Sequence, residues 1–101
     1  MLEVLIVSNN KLTNLRRVEA LPNLRVLDAS NNNIGSLHSE LLEVYSLESL
    51  YLFGNPIVNS NPQLAKIEGN QVTVKRALEK YFGVSSSSNA LESGSKLLGN
   101  T

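Results

Sequence analysis

The sequence predicts an α/β solenoid: short parallel strands stacked into one sheet, closed at the C-terminal end by helix. Two observations carry this. First, Leu2-x-x-Leu5-x-Val7-x-x-Asn10-x-Leu12 recurs as Leu24-x-x-Leu27-x-Ala29-x-x-Asn32-x-Ile34, and again as Leu47-x-x-Leu50-x-Leu52-x-x-Asn55-x-Ile57. The offsets are 22 and 23 residues (2 to 24, 24 to 47). A fixed period in that range marks units that each bury an apolar side against the next. Second, the pattern stops after Ile57 and gives way to apolar residues at helical spacing.

Each unit opens with a strand, Val4-Leu5-Ile6-Val7, Val26-Leu27-Asp28-Ala29 and Ser49-Leu50-Tyr51-Leu52. Alternate apolar positions send their side chains to one face. Connections of more than a dozen residues between like strands require parallel pairing. The asparagines that follow, Asn10, Asn32 and Asn55, sit where the chain bends away and leaves backbone groups without partners. A primary amide both donates and accepts, so stacked asparagines are expected to satisfy those groups as a ladder.

The first return segment keeps an apolar residue at every third position, Leu12, Leu15, Val18, Leu21 and Leu24, which suits a 3₁₀ or loosely helical turn. Pro22 helps to end it. The second reads Ile34, Leu37, Leu41, Val44, Leu47, with one extra residue before Leu41. That fits a short α-helical turn capped by Ser39. Asn61-Pro62 reads as an N-cap with proline at the first helical position, giving a helix to Glu68 that stops at Gly69. A further helix is expected over 72–82, capped by Asn70 and stopped by Gly83. Its stripe of Val74, Leu78, Tyr81 and Phe82 fits a core-facing surface sealing the last unit; the other reading is an exposed partner-binding helix. The expected divisions are therefore repeats over 1–57, a helical cap over 58–83 and a Ser-rich, disordered tail over 84–101.

At 101 residues this is one small domain with a modest core. Nine basic residues balance nine acidic ones, and no basic face suggests a nucleic-acid partner. With no cysteine, disulfides and thiolate metal sites are excluded. No apolar run is long enough to span a bilayer, and the first residues do not read as a signal peptide. These points favour a cytoplasmic, reducing location.

Taken together, these residues resemble the leucine-rich-repeat family, and most of all its intracellular subclass with repeats near 22 residues, typified by a regulatory subunit of protein phosphatase 1. L-x-x-L-x-L-x-x-N-x-L covers 2–57, Gly54-Asn55-Pro56-Ile57 resembles the usual last repeat, and 58–83 resembles the helical C-terminal cap. The resemblance implies a curved sheet on a concave face, with partners bound there. Ala29 departs from the usual leucine and is expected to thin the core. The family's N-terminal cap has no counterpart before Leu2, which leaves the first strand open. The expectation is a C-terminal fragment of a longer array, an alternative start, or a chain that self-associates through that strand.

Side chains between the consensus positions should form columns across the sheet: Glu3, Arg25, Glu48; Val4, Val26, Ser49; Ile6, Asp28, Tyr51; and Ser8, Ser30, Phe53. Val4, Ile6, Arg25, Val26, Asp28, Tyr51 and Phe53 are the candidate partner-binding residues, since aromatic and arginine side chains dominate binding hot spots. The bland reading is that β-branched residues suit strands and Phe53 packs on the cap. Enzyme readings fail on inventory. His38 is the only histidine and is expected at the surface, no cysteine is present, and Glu40, Glu43 and Glu68 make no metal-ligand spacing with it. No catalytic residue, metal or cofactor is expected. The function read here is a non-catalytic module binding a protein partner. Alternatives are a phosphatase regulatory subunit and a structural part of a cytoskeletal or ciliary assembly.

Overall fold

The computed structural model describes residues 1–84. The Ser-rich tail expected from residue 84 therefore lies outside the described residues, apart from Val84. Strands β1 (Val4–Ile6), β2 (Val26–Asp28), β3 (Ser49–Tyr51) and β4 (Lys66–Glu68) form one sheet in sequence order. The first three run parallel; β4 turns back antiparallel to β3. The register is set by the repeat, with Leu5 beside Leu27, Leu27 beside Leu50, and Ile67 of β4 completing the row. A one-residue slip would turn this buried row to the other face, so the hydrophobic pattern fixes the pairing.

Return segments bring the chain back through 3₁₀ turns at Val18–Ala20 and Ser39–Glu43. The second was expected to be α-helical. It is instead held by bonds from Leu41 N–H to His38 C=O and from Val44 N–H to Leu41 C=O. The tighter three-residue turn lets Leu41, Val44 and Leu47 all reach the core. Ser39 makes no cap; His38 holds that position in extended conformation, without a side-chain bond to the turn.

The helix expected over 62–68 is also corrected. Pro62–Leu64 forms a single 3₁₀ turn after a short helix α1 (Ile57–Ser60), and β4 follows. Lys66-Ile67-Glu68 alternates exposed, buried, exposed, and Ala65 C=O accepts from the N–H groups of Leu52 and Phe53. Completing the open edge of β3 outweighs the helix propensity of a short segment. Helix α2 (Gln71–Phe82) starts one residue before the position read from the sequence. Asn70 accepts from the N–H groups of Val72 and Thr73, while Thr73 Oγ1 accepts from Asn70 N–H, a reciprocal cap. Gly83 ends the helix at φ 75°, in the left-handed region. The helix packs on β4, β3 and the Ser39–Glu43 turn.

The core is continuous from Leu15 to Leu78. Leu24, Leu27, Ala29, Ile34, Leu41, Leu50, Leu52 and Leu64 are fully buried. The first unit is less covered than its successors: Leu5 and Val7 are half-buried, and Leu2 and Leu12 are exposed. Consensus spacing alone does not bury a side chain; a neighbouring coil must lie against it.

Candidate functional site

One face of the sheet displays the side chains that the core does not take. Backbone register aligns Val4, Val26 and Ser49 in one row and Ile6, Asp28 and Tyr51 in the next. Ile6, Val4 and Phe53 are exposed, whereas Val26, Asp28 and Tyr51 are half-buried. The face therefore offers apolar and aromatic surface in contiguous rows.

Charges frame it. The Arg25 guanidinium lies between two carboxylates of its own row, with Nη1 3.0 Å from Glu3 Oε1 and Nε 3.6 Å from Glu48 Oε2. The hydrogen bond to Glu3 and the nearby charge of Glu48 push its pKa upward, so it stays a cation. At the other side Tyr51 donates its hydroxyl proton to Glu68 of β4, whose other oxygen lies 3.6 Å from Lys66 Nζ. The hydrogen bond to Glu68 raises the Tyr51 pKa. Glu3, Asp28, Glu48 and Glu68 outnumber Arg25 and Lys66, which leaves the face acidic.

Two members of the expected columns behave differently. Ser30 was expected to point outward and is 2% exposed. Its N–H and hydroxyl both donate to Asp28 Oδ1, at 3.0 and 2.6 Å. Asp28 thereby closes the bend after β2 as well as lying on the face, a local side-chain turn that aspartate favours.

The three asparagines differ in surroundings. Asn55 is buried; its amide donates to Ala29 C=O and Leu52 C=O, each at 2.9 Å, and its oxygen accepts from Ile34 N–H at 2.9 Å. Asn32 donates to Val7, Ala29 and Ser30 carbonyls and accepts from Leu12 N–H. Each thus ties its own bend to the coil before it. Asn10 is exposed and donates only within its own bend, to the Val7 and Ser8 carbonyls. The residue before each asparagine carries positive φ: Asn9 at 59°, Asn31 at 56°, Gly54 at 77°. The sequence places a bend here but its left-handed residue was missed, though the signal is visible: asparagine and glycine are the residues that enter that region at least cost.

His38 was expected at the surface. Its side chain is 8% exposed, and Nε2 lies 3.0 Å from Glu19 Oε1, linking successive return segments. The same Glu19 oxygen accepts from Arg17 N–H, whose residue sits at φ 82°. The hydrogen bond from His38 holds the Glu19 carboxyl below the usual carboxylate range. A second feature escaped the periodicity because it joins segments far apart in sequence. A groove of about 200 Å³ lies between Leu42 and Tyr45 on one side and Val72 and Lys75 on the other. Tyr45, off the three-residue apolar register, is 71% exposed on its rim.

Among the described residues no group of three or more His, Cys, Asp or Glu side chains could hold a metal ion, and no helix is long and apolar enough to cross a membrane. Three parallel strands at a fixed period are tied to one another through backbone and asparagine bonds. Residues 1–43 match the family described as leucine-rich repeats (2 copies), so this part of the chain is similar to that family. Such repeats generally mediate protein–protein interaction and are typically non-catalytic. No curated protein and no solved structure gave a match to the chain.

Proposed function

We propose that the chain is a non-catalytic module that binds a protein partner on the exposed face of its sheet. In this reading the coils over 1–57 stack as a solenoid with the sheet on its concave side. Residues 58–83 act as its C-terminal cap, and the protein works inside the cell. The observation that carries it is the in-register display of Val4, Ile6, Val26, Tyr51 and Phe53 beside Arg25 and Asp28. Exposed apolar rows rimmed by charge are what a desolvated interface core with a polar rim needs. The excess of carboxylates on the face favours a partner segment that is basic as well as apolar. Nothing on the face favours a phosphatase or a filament over any other protein.

Affinity capture with the whole chain and with the Tyr51→Ala/Phe53→Ala double variant tests this. The parent should retain a partner that the variant loses, with both showing the same circular dichroism spectrum. Undiminished capture by the variant would move the site off the sheet, with the groove beside Tyr45 next in line. Asp28→Arg is less suited to the purpose, because it removes the acceptor of the buried Ser30.

A further inference from the structure

Charge on the sheet face is balanced at every residue but one. Arg25 lies between Glu3 and Glu48, and Lys66 lies beside Glu68. Of the charged side chains on this face, Asp28 alone has no ion-pair partner among the described residues. It is also held in place. The Ser30 N–H and hydroxyl both donate to Asp28 Oδ1, and no bond within the described residues takes Oδ2. Ser30 is itself buried, so the carboxylate cannot swing away without stranding a buried hydroxyl. Tyr51 is its neighbour in the same row, paired with it across β2 and β3. The Tyr51 hydroxyl is tied to Glu68, which pins the ring in turn, and Asp28 adds to the negative field at that hydroxyl. Adjacent strands lie about 4.8 Å apart, so one ligand can touch both side chains. A half-buried carboxylate has lost part of its hydration, and an unpaired one has most to gain from an incoming cation.

We propose that Asp28 and Tyr51 together receive an arginine side chain of the protein partner, its guanidinium donating to Asp28 Oδ2 and lying against the Tyr51 ring. This rests on the reading that the exposed sheet face binds a protein, and it names the group recognised there. Arginine fits better than lysine, because its flat, weakly hydrated guanidinium both stacks on an aromatic ring and bonds a carboxylate. Val26 and Phe53 share the face two residues away on the same strands and offer apolar surface to the side chains next to that arginine. The face has no spare cation of its own for Asp28, since Arg25 is engaged by two carboxylates and Lys66 by Glu68.

The probes are acetyl-Leu-Arg-Leu-amide and the same peptide with citrulline, which keeps the shape and loses the charge. Each is titrated into the whole chain and followed by amide NMR shifts. The arginine peptide should shift the Asp28 and Tyr51 signals saturably and bind at least about tenfold tighter than the citrulline peptide. Its lead should shrink as salt is raised. Asp28→Asn keeps an acceptor for Ser30 and removes the charge, so it should abolish the arginine preference at an unchanged melting temperature. Tyr51→Leu should keep the preference over citrulline and lose the preference over a lysine peptide. No binding to the parent, equal binding of the arginine and citrulline peptides, saturable shifts away from Asp28 and Tyr51, or an arginine preference that survives Asp28→Asn would each overturn the proposal. The comparison of peptides on the parent needs no variant to fold. Should Asp28→Asn capture a protein partner as well as the parent does, while Tyr51→Ala/Phe53→Ala loses it, this assignment fails and the binding face stands.

Discussion

At the level of single residues, one amide carries different weight in each coil. Asn55 makes three bonds in a buried setting, two of them to the preceding coil, whereas Asn10 is exposed and bonds only within its own bend. Asn55→Ala strands buried groups and should cost about 1–3 kcal/mol, and Asn10→Ala should stay within about 0.5 kcal/mol, both measured by thermal melting. Gly54 is a second point of sensitivity. Its φ is 77°, and a Cβ added there would collide with the Asn31 side chain and press on Asn31 Cα at 3.2 Å. Gly54→Ala should therefore destabilise by about 1 kcal/mol or more, although asparagine serves at the equivalent positions 9 and 31. The Glu19–His38 bridge makes a pH-dependent contribution. Glu19 has a lower pKa folded than unfolded, so its stabilisation is present above the ordinary carboxylate pKa and disappears as pH falls through the folded value. The melting-temperature gap between the parent and Glu19→Gln should be widest near neutrality and close below the carboxylate range.

Elements show where the pattern of the chain is sufficient and where it is not. The strands and their register are legible because consensus residues recur at a fixed period and one face must be buried. Helix α2 is legible because a cap, an apolar stripe and a stop glycine agree. Asn70→Ala removes the acceptor of two N–H groups and should cost about 1 kcal/mol, read by denaturant unfolding. Residues 62–68 are misread as helix because Asn61-Pro62 is a genuine local signal, while the vacancy beside β3 that recruits Lys66–Glu68 is a tertiary fact. The groove between Tyr45 and Val72 is invisible for the same reason. Most of the exposed face is foreseeable from alternation; the burial of Ser30 is not, because it depends on the rotation of one carboxylate toward its own chain.

At the scale of the whole molecule, each strand with its return segment packs against the next around one continuous core. The reversal of β4 has a consequence for how such a protein can lengthen. A unit of the same kind joins the sheet by parallel pairing, and β3 already spends its far side on a strand running the other way. Tandem duplication of residues 24–46 should thus yield a soluble, cooperatively melting protein with added stability, whereas the same segment inserted between β4 and α2 should not fold into the row; calorimetry on the two insertions distinguishes them. Descent by copying is consequently directional here: new units can be accommodated ahead of the antiparallel β3–β4 pair but never behind it.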